Sequence, residues 1–535
     1  MESNFINKLL NSCAKNNPYS IAIRQIKKGQ ITEISYSEIL NKIHKNRNLL
    51  NDKTGKLVVL YLSSTIESHI LLYSCLYYGV VPLIKTYNYD NFNKRKLVDD
   101  FNILCHHYTD IFAGYIIEED NHELIIHKLK NQNYKMTSDL SNIAFIQLSS
   151  GTTGFQKGIK SSYNALYNNL IKCKESWNLD QNSKILSWLS ISHNFGFITS
   201  ILLPIFTGAE NTIISPKDFY YNPNKLLHLL AEFETTHTFL PNFALGHIIQ
   251  DITGIDNLKL NLSNLKVIGI GGDFIKKSTI DNFYNKLKKY NLDYSVFKAV
   301  YGMSENSGII TMTSINEKIE FYDINKNNFI CPSEYTIPET NVYIANVGKI
   351  YKNDNIKIKI NNKLTKQELH VGEIVVSTNS LFDGYLQDST KINQEDEFLI
   401  IDNTKYFNTG DLGFLYNGCL YIIGRKKDII VIRGKNFSSN IIENTILKDL
   451  TMKDISIVVL SINNDNILYV LIETQNVIPK RESKIIKESV IKSLKDNYNF
   501  DITEKNIIIK NNFLPKTITN KINRQACKQM ITEGD

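Results

Sequence analysis

The stretch that decides the fold is residues 143–158, which read IAFIQLSSGTTGFQKG. Its first part, residues 143–148, is a β-rich apolar run that predicts a buried strand. The glycines behind that strand let the backbone turn tightly, so that its N–H groups can converge on phosphate oxygens. The spacing differs from that of the Walker A loop, G-x-x-x-x-G-K-S/T. We interpret the loop, with Lys157 near its end, as an anion-binding cradle; a plain polar turn is the alternative.

Strand-like and helix-like runs alternate on both sides of this loop. Strands are predicted at residues 56–62, 266–270 and 297–300, and helices at residues 68–78, 163–174, 224–233 and 278–290. Alternating β and α elements imply an α/β protein with mixed or parallel sheets covered on both faces. Asn417-Gly418 lies between two further β-rich runs and is a strong signal for a type I′ hairpin.

The pattern changes after Gly424. Strands are predicted at residues 428–433, 455–462, 467–473 and 506–510, and helices at residues 439–448 and 481–498. These elements form a small α+β unit. The sequence therefore predicts a large N-terminal domain of layered α/β subdomains, residues 1–424, and a small C-terminal domain, residues 425–535.

Composition excludes several classes of protein. Of the 535 residues, 42% are hydrophobic and 21% are charged, as in an ordinary globular protein. The net charge of +7 is spread along the chain, which argues against a nucleic-acid-binding protein with a basic stripe. The seven cysteines form no C-x-x-C pair, which argues against a disulfide framework or a zinc site and favours the cytoplasm. The most apolar run, residues 70–84, is too interrupted to span a membrane.

The loop and four further patterns identify a family when they are taken together. They are S-S-G-T-T-G-F-Q-K-G at 149–158, Y-G-M-S-E at 301–305, T-G-D at 409–411, G-R-K-K-D at 424–428 with Arg433-Gly434 beyond it, and P-K-T at 515–517 leading to Lys521. In this order they resemble the motifs of the AMP-forming adenylating superfamily, which contains acyl-CoA synthetases, luciferases, peptide-synthetase adenylation domains and fatty acyl-AMP ligases. The resemblance runs from about Ile31 to Lys528. It implies an enzyme that uses ATP and Mg²⁺ and has a mobile small domain.

The resemblance also implies roles for single residues. It assigns the ATP phosphates to Ser149, Ser150, Gly151, Thr152, Thr153, Gly154 and Lys157, and the adenine to Gly271, Gly272, Asp273 and Tyr301. Gly302, Met303 and Ser304 are further candidates for binding the nucleotide. A flat purine needs a surface free of Cβ atoms, and two adjacent glycines supply one. Asp411 and Arg425 would share the ribose, since one carboxylate can contact both ribose hydroxyls. Thr152 and Glu305 would hold Mg²⁺, a hard cation that prefers oxygen ligands.

Lys521, Lys157 and Glu305 are the predicted catalytic residues. A lysine at position 521 can bridge the carboxylate oxygen and the α-phosphate as charge builds up in the transition state. Lys427 matches the hinge about which the small domain closes. The chain departs from the family in having Asn520 before that lysine in place of glycine, and asparagine is the residue that best tolerates a left-handed backbone after glycine.

Other segments resemble the fatty acyl-AMP ligase branch of the superfamily. They are W-L-S-I-S-H-N-F-G at 188–196, P-N-F-A at 241–244, T-G-D-L-G-F-L at 409–415, R-G-K-N at 433–436 and R-Q-A-C at 524–527. The stretch 305–348 matches the extra segment of that branch, whereas Asn194, Ser439 and Asn440 depart from its motifs. The candidates for lining the acyl pocket are His193, Asn194, Phe195, Phe239 and Phe243.

The resulting hypothesis is a ligase that joins a carboxylic acid, above all a fatty acid, to AMP and releases pyrophosphate. The acyl group then passes to the thiol of a separate acyl carrier protein. Three alternatives stay open: an acyl-CoA synthetase, a stand-alone adenylation enzyme for an amino or aryl acid, and a non-catalytic nucleotide-binding protein. The amino-acid alternative is disfavoured because residues 188–196 contain no aspartate to hold an ammonium group.

Overall fold

The computed structural model describes residues 5–86, 94–107, 112–118, 124–128, 140–149, 156–250, 260–324, 342–386, 397–432, 435–450, 455–462, 467–516 and 522–533. The predicted site residues that lie outside these ranges are Ser150, Gly151, Thr152, Thr153, Gly154 and Lys521. The motif residues Arg433 and Gly434 lie outside them as well. The roles of these residues stay predictions.

The first part of the chain builds a small sheet and one edge of a large sheet. Its elements are α1 (Phe5–Asn16), β1 (Ile21–Lys27), β2 (Gln30–Ser35), α2 (Tyr36–Lys45), α3 (Arg47–Leu50), β3 (Leu57–Leu62), α4 (Ile66–Tyr78), β4 (Val81–Thr86), α5 (Lys94–His107), β5 (Phe112–Glu118), β6 (Leu124–Lys128), β7 (Ile143–Leu148) and β8 (Gly158–Ser162). The order in the small sheet is β6-β5-β3-β4-β7-β8. The residues of β3, LVVLYL, are all buried, and this strand pairs in parallel with both neighbours, as a near-continuous apolar run predicts.

The middle of the chain supplies most of the large sheet. Its elements are α6 (Tyr163–Trp177), β9 (Lys184–Ser187), α7 (Asn194–Phe197), a π-helical turn (Ile198–Leu202), α8 (Leu203–Thr207), β10 (Glu210–Ile214), α9 (Pro216–Tyr221), α10 (Lys225–Glu232), β11 (His237–Leu240), α11 (Asn242–Gln250), β12 (Val267–Gly271), α12 (Lys277–Leu287), β13 (Phe297–Met303), β14 (Gly308–Met312), β15 (Phe321–Asp323), β16 (Tyr343–Lys349), β17 (Asn355–Ile360), β18 (Lys363–Thr365), β19 (Gly372–Ser377), β20 (Phe398–Ile401), β21 (Thr404–Tyr416) and β22 (Cys419–Arg425).

Strand order in the large sheet places the ends of several parallel strands at one edge. The order is β18-β17-β19-β21-β22-β16-β14-β13-β12-β11-β9-β10-β1-β2, with β15 beside β16 and β20 beside β21. The run β10-β9-β11-β12-β13 is parallel, whereas β14 and the strands beyond it pair antiparallel. The sheet is therefore mixed, as predicted, and the carboxyl ends of β11, β12 and β13 open together.

The last part of the chain forms a smaller unit. Its elements are β23 (Ile429–Ile432), β24 (Lys435–Ser438), α13 (Ser439–Leu450), β25 (Ile455–Ile462), β26 (Ile467–Thr474), α14 (Lys480–Tyr498), β27 (Ile507–Asn511) and α15 (Arg524–Glu533). Sheets of order β23-β24 and β25-β26-β27 pack with these helices. Ile442, Val470 and Val490 belong to a hydrophobic core made from residues of this unit alone. The boundary between residues 424 and 425 stays a prediction.

Local sequence signals explain where several elements begin and end. Thr65 caps α4 by accepting the N–H of Ser68, and Gly79 ends the helix in a left-handed conformation, with φ of 68°. Asn417 and Gly418 have φ of 49° and 70°, the values that a type I′ turn requires, so the predicted hairpin is confirmed.

The predicted α/β fold class is confirmed by this architecture. The predicted strand 143–148 is observed with the same bounds, and most of the other predicted elements differ by a few residues at their ends. Among the residues that the structure describes, no helix has both the length and the apolar character needed to cross a membrane.

Candidate active site

One cavity of about 2780 Å³ lies at the carboxyl ends of β12 and β13. Ligands of open α/β sheets bind in crevices of this kind. The predicted site residues that line the cavity are Ser149, Lys157, His193, Asn194, Phe195, Phe243, Gly272, Asp273, Tyr301, Gly302, Met303, Ser304, Glu305, Asp411, Arg425 and Lys427. Of the described site residues, Gly271 and Phe239 do not line it. The structure therefore brings almost all of the described candidates to one place.

Asp411 and Arg425 face each other on β21 and β22. Arg425 Nε is 3.3 Å from Asp411 Oδ1, and the Tyr301 hydroxyl donates to Asp411 Oδ2 at 2.7 Å. Burial raises the pKa of the Asp411 carboxyl, while the Arg425 guanidinium and the Tyr301 hydroxyl act against that rise. A carboxylate that is fixed by two partners and still lines the cavity is suited to accept hydrogen bonds from a ribose diol.

Ser149 and Lys157 join the two ends of the predicted phosphate loop. The Ser149 N–H donates to the Lys157 carbonyl at 2.8 Å, and the Lys157 N–H donates to Ser149 Oγ at 2.9 Å. Lys157 Nζ lies 2.5 Å from Glu397 Oε1 and 4.6 Å from the centre of the Tyr385 ring. The ammonium group is thus held at the cavity wall by an ion pair and a cation–π contact.

Glu305 lies beside this group. The Tyr385 hydroxyl donates to Glu305 Oε1 at 3.4 Å and also interacts with Glu397. Burial raises the pKa of Glu305, and the charge of Glu397 raises it further. The carboxylates of Glu305 and Glu397 therefore both interact with the Tyr385 hydroxyl, beside the Lys157 ammonium. A bound cation would reduce the repulsion between these two like charges.

The carboxylates fit a magnesium ion that is shared with a substrate. Glu305 lines the cavity, and Glu397 Oε2 is buried and accepts no hydrogen bond. Within the described part of the chain, no group of three or more His, Cys, Asp or Glu side chains is placed to hold a metal ion. Mg²⁺ is commonly bound by one or two carboxylates together with substrate phosphates. Glu305 is therefore suited to hold Mg²⁺ jointly with the phosphates of ATP.

The glycines of the predicted adenine site have a packing role. A Cβ at Gly271 would lie 2.7 Å from the Val300 carbonyl oxygen, and a Cβ at Gly302 would lie 2.4 Å from the Gly308 carbonyl oxygen. Gly272 has φ of +79°, a conformation that side chains disfavour. Close strand packing explains Gly271 and Gly302, and the backbone conformation explains Gly272, without a ligand. The contact with adenine stays a prediction.

His193, Asn194 and Phe195 lie where α7 begins. The His193 ring accepts the N–H of Phe195 at 3.4 Å and so caps the helix, while Asn194 Oδ1 is buried without a hydrogen-bond partner. Phe243 reaches the same cavity from α11. These four side chains line one cavity, and their role in an acyl pocket stays a prediction.

Phe239 is placed differently from the sequence expectation. It is fully buried on β11, with its ring centre 4.9 Å from that of Trp177. Its ring also lies edge-on to Phe195 at 6.1 Å. Because β11 is a central strand with all its residues buried, Phe239 packs in the core behind Phe195 and does not line the pocket. The pocket role predicted for Phe239 is therefore corrected to a supporting one.

Lys427, the predicted hinge, lies between two ion pairs. Arg425, before it, contacts Asp411. Asp428, after it, has its Oδ2 at 3.9 Å from Arg524 Nε. The first pair links two strands of the large sheet. The second pair links Asp428 to the first residue of the last helix, α15. Lys427 therefore sits where the two units meet, and its hinge role stays a prediction.

The neighbours of Lys521 are described although Lys521 itself is not. Lys516 and Ile522 form an isolated antiparallel bridge, and both line the cavity. Lys516 Nζ also pairs with Glu473 at 2.6 Å. The chain on either side of Lys521 is thus anchored at the cavity wall, and its catalytic role stays a prediction.

Glu397 and Tyr385 belong to none of the motifs in the sequence. Glu397 is 240 residues away from Lys157, and a single glutamate carries no local signal of such a contact. Tyr385 reaches the site because it bridges to Ile159 on β8, two residues beyond the lysine. Only the folded chain reveals these two partners.

Comparison with known proteins gives relatives along most of the chain. The family model of AMP-binding enzymes matches residues 10–386. JamA of Moorena producens, a medium-chain-fatty-acid–acyl-carrier-protein ligase, is 25% identical over 406 residues, which are 73% of this chain and 68% of JamA. TtuA of Teredinibacter turnerae, a ligase of the same description, is 24% identical over 410 residues, which are 74% of this chain and 64% of TtuA.

A solved structure shows the same fold. It comes from structural and functional studies of fatty acyl-adenylate ligases from E. coli and L. pneumophila. The TM-score is 0.82 at 20% sequence identity, and the match covers 100% of this chain and 98% of the other. The predicted resemblance to the adenylating superfamily is thereby confirmed. This chain belongs to the family of AMP-binding enzymes.

Proposed function

We propose that the chain is a ligase that activates a fatty acid with ATP and hands it to a separate acyl carrier protein. One observation carries the proposal: a single cavity joins the Asp411–Arg425 pair, the Lys157–Glu305 end and the apolar side chain of Phe243. A nucleotide and an apolar acid can therefore meet in one site. JamA and TtuA are named as medium-chain-fatty-acid–acyl-carrier-protein ligases, which supports both the acid and the acceptor.

The first half-reaction forms the acyl adenylate. A carboxylate oxygen of the acid attacks the α-phosphorus of ATP, and the bond from that phosphorus to pyrophosphate breaks. Asp411 accepts hydrogen bonds from the ribose hydroxyls, and Lys157 exchanges Glu397 for phosphate oxygens. Glu305 would hold Mg²⁺, which would supply positive charge for the leaving pyrophosphate. Lys521 stabilises the charge that develops between the carboxylate and the α-phosphate.

The second half-reaction transfers the acyl group. The thiol sulfur of the carrier attacks the acyl carbonyl carbon, AMP leaves with the electrons of the broken bond, and the thiol proton is lost to solvent. The carrier arm must reach the same cavity, so we propose that the small unit moves about Lys427 between the two halves. We also propose the cytoplasm as its compartment, because Cys13, Cys75, Cys173, Cys419 and Cys527 are free thiols.

Exchange of labelled pyrophosphate into ATP over a panel of carboxylic acids tests the proposal. We expect exchange with fatty acids and none with amino or aryl acids. Exchange with an amino or aryl acid alone would favour a stand-alone adenylation enzyme. No exchange with any acid would favour a non-catalytic nucleotide-binding protein.

A further inference from the structure

Helix α11 presents one face to the cavity and the other to the protein core. Phe243, Gly246 and His247 line the cavity and are partly exposed. Ala244, Leu245 and Ile248 are fully buried. Residues three and four apart share one face of a helix, so the cavity-lining residues form a continuous strip on one side.

Gly246 lies in this strip without a packing reason. Among the described residues, a Cβ at Gly246 would meet no atom within 4 Å, and the backbone there has no positive φ. Gly196 shows the contrast, because its Cβ would lie 2.3 Å from the Ser190 carbonyl oxygen. Glycine inside a helix is less stable than alanine, which would fit at position 246. In the part of the chain that the structure describes, the effect of Gly246 is therefore a gap in the cavity wall.

Aromatic rings fix the wall beside this gap. The Phe243 ring stacks on Tyr220 at 6.4 Å and lies edge-on to Trp188 at 6.3 Å and to His247 at 5.7 Å. The gap at Gly246 is thus next to rings that cannot easily turn to fill it. It offers an apolar surface on which a flexible chain of methylene groups can lie.

Charged side chains lie beyond this strip. Lys286 of α12 also lines the cavity, but its Nζ donates to the Ile249 carbonyl at 2.7 Å, towards the end of α11. Phe243, Gly246 and His247 carry no carboxylate and no permanent cation. A substrate that crosses Gly246 therefore needs neither an ammonium nor a carboxylate at that point of its chain.

We propose that Gly246 sets the length of acyl chain that the enzyme accepts. The gap takes the aliphatic chain of the acid, which lies over Gly246 against the rings of Phe243 and His247. The substrate class is then an unbranched aliphatic acid long enough to reach α11, in preference to short acids. This inference rests on the proposed adenylation of fatty acids and deepens it.

A series of variants at one position tests the inference. Gly246→Ala, Gly246→Val and Gly246→Leu add side chains of increasing size to the gap. Pyrophosphate exchange is measured with unbranched acids from butyric to palmitic acid. We expect activity with the longest acids, relative to the shortest, to fall step by step from the alanine to the valine variant as the gap fills. The alanine variant should also melt at a higher temperature, because alanine stabilises a helix. We expect the leucine variant to lose roughly tenfold or more activity with the longest acids that the wild type uses, relative to the shortest.

The ratio between long and short acids separates the inference from a general defect. An equal loss with acids of every length, or an unchanged profile in the leucine variant, would overturn it. If that variant fails to fold, the valine variant provides the same comparison. The rise in melting temperature that long and short acids produce gives the same comparison without turnover. Absence of exchange with every acid in the wild type would instead contradict the proposed function.

Discussion

Asp411 faces Arg425 because the register of the β21–β22 hairpin shifts by one residue just before Gly413. Gly413 faces Ile422, and an unbroken ladder would place Asp411 opposite Gly424. The observed shift is a β-bulge, a device that redirects side chains next to active sites. The ion pair that we assign to the ribose is therefore set by one extra residue in β22.

Replacing Asp411 with Asn should weaken ATP binding and leave the fold intact. The amide keeps the shape of the side chain and loses the charge that ribose hydroxyls and Arg425 both use. A hydrogen bond to a charged group contributes about 1.5–3 kcal/mol, so we expect the KM for ATP to rise roughly 10- to 100-fold. Pyrophosphate exchange at varied ATP measures it. Asp402→Asn, at an exposed turn, is the control, and equal KM values in both variants would refute the ribose role.

Ionisation of Glu305 should make activity depend on pH. Burial and the charge of Glu397 raise the pKa of Glu305 above its ordinary value of 4.5. The group therefore stays protonated to a higher pH, and only the ionised form suits Mg²⁺. Activity should fall on the acid side as the pH drops through this raised pKa. Glu397→Gln removes the like charge, so the acid limb of kcat/KM for ATP should move to lower pH.

The measurement is the pH profile of pyrophosphate exchange, compared between the wild type and Glu397→Gln. The ionisation of ATP and of the acid is common to both and cancels in the comparison. Glu368→Gln, at an exposed position, provides a matched control. An acid limb that stays in place or moves to higher pH in Glu397→Gln would contradict the coupling between these two carboxylates.

Replacing Lys521 with Ala should slow adenylation without unfolding the protein. Loss of one preorganised charge-stabilising donor costs roughly 10²–10³ in rate. Single-turnover formation of acyl-AMP measures the step directly, and the melting temperature reports on folding. Lys505→Ala removes an exposed lysine from the same unit and should react at the wild-type rate. Near wild-type adenylation by the Lys521 variant would remove this residue from the mechanism.

Replacing Lys427 with Pro should impair one half-reaction more than the other. Proline fixes φ at a single position and so restricts rotation about the segment between Arg425 and Asp428. Lys427→Ala keeps the rotation and removes the same side chain, which separates hinge motion from charge. Pyrophosphate exchange measures the first half-reaction, and transfer from preformed acyl-AMP measures the second. Equal losses in both, or equal behaviour of the two variants, would argue against a hinge at this residue.

The acyl acceptor should be a carrier protein and not free coenzyme A. With ATP and fatty acid alone we expect acyl-AMP to accumulate, and with a phosphopantetheine-bearing carrier we expect transfer. The chain has a net charge of +7, which suits an acidic carrier, so transfer should weaken as salt screens the charges. Analysis of thioester products by mass spectrometry measures both acceptors. Efficient acyl-CoA formation would reassign the acceptor and leave adenylation standing.

The sequence motifs predicted those parts of the site that depend on residues close to one another in the chain. Asn417-Gly418 predicted the hairpin, and fourteen positions separate Asp411 from Arg425, so the return of the chain could be foreseen. The bulge that aligns this pair could not be predicted, because no particular residue type in β22 signals a bulge. The hairpin was therefore predictable, but its register was not.

Contacts between distant segments were beyond the reach of local patterns. Glu397 contacts Lys157 although 240 residues separate them in the chain, and neither its type nor its neighbours predict the contact. Phe239 shows the opposite case, in which a pocket residue was predicted and the structure places it in the core. The sequence pattern around an aromatic residue is the same whether its side chain faces a cavity or the core. The orientation of a single strand decided between the two.

The ion pair between Lys157 and Glu397 also bears on which anions the enzyme ignores. Glu397 is tethered to the same chain, so it competes for the lysine at a high effective concentration. Orthophosphate, which makes few other contacts, has to displace this carboxylate before it can pair with Lys157. In the proposed complex, ATP would also contact Asp411 through its ribose and carry a divalent counterion, which would make it the better competitor for Lys157. We therefore expect the pair to favour ATP over the commonest small anion at Lys157.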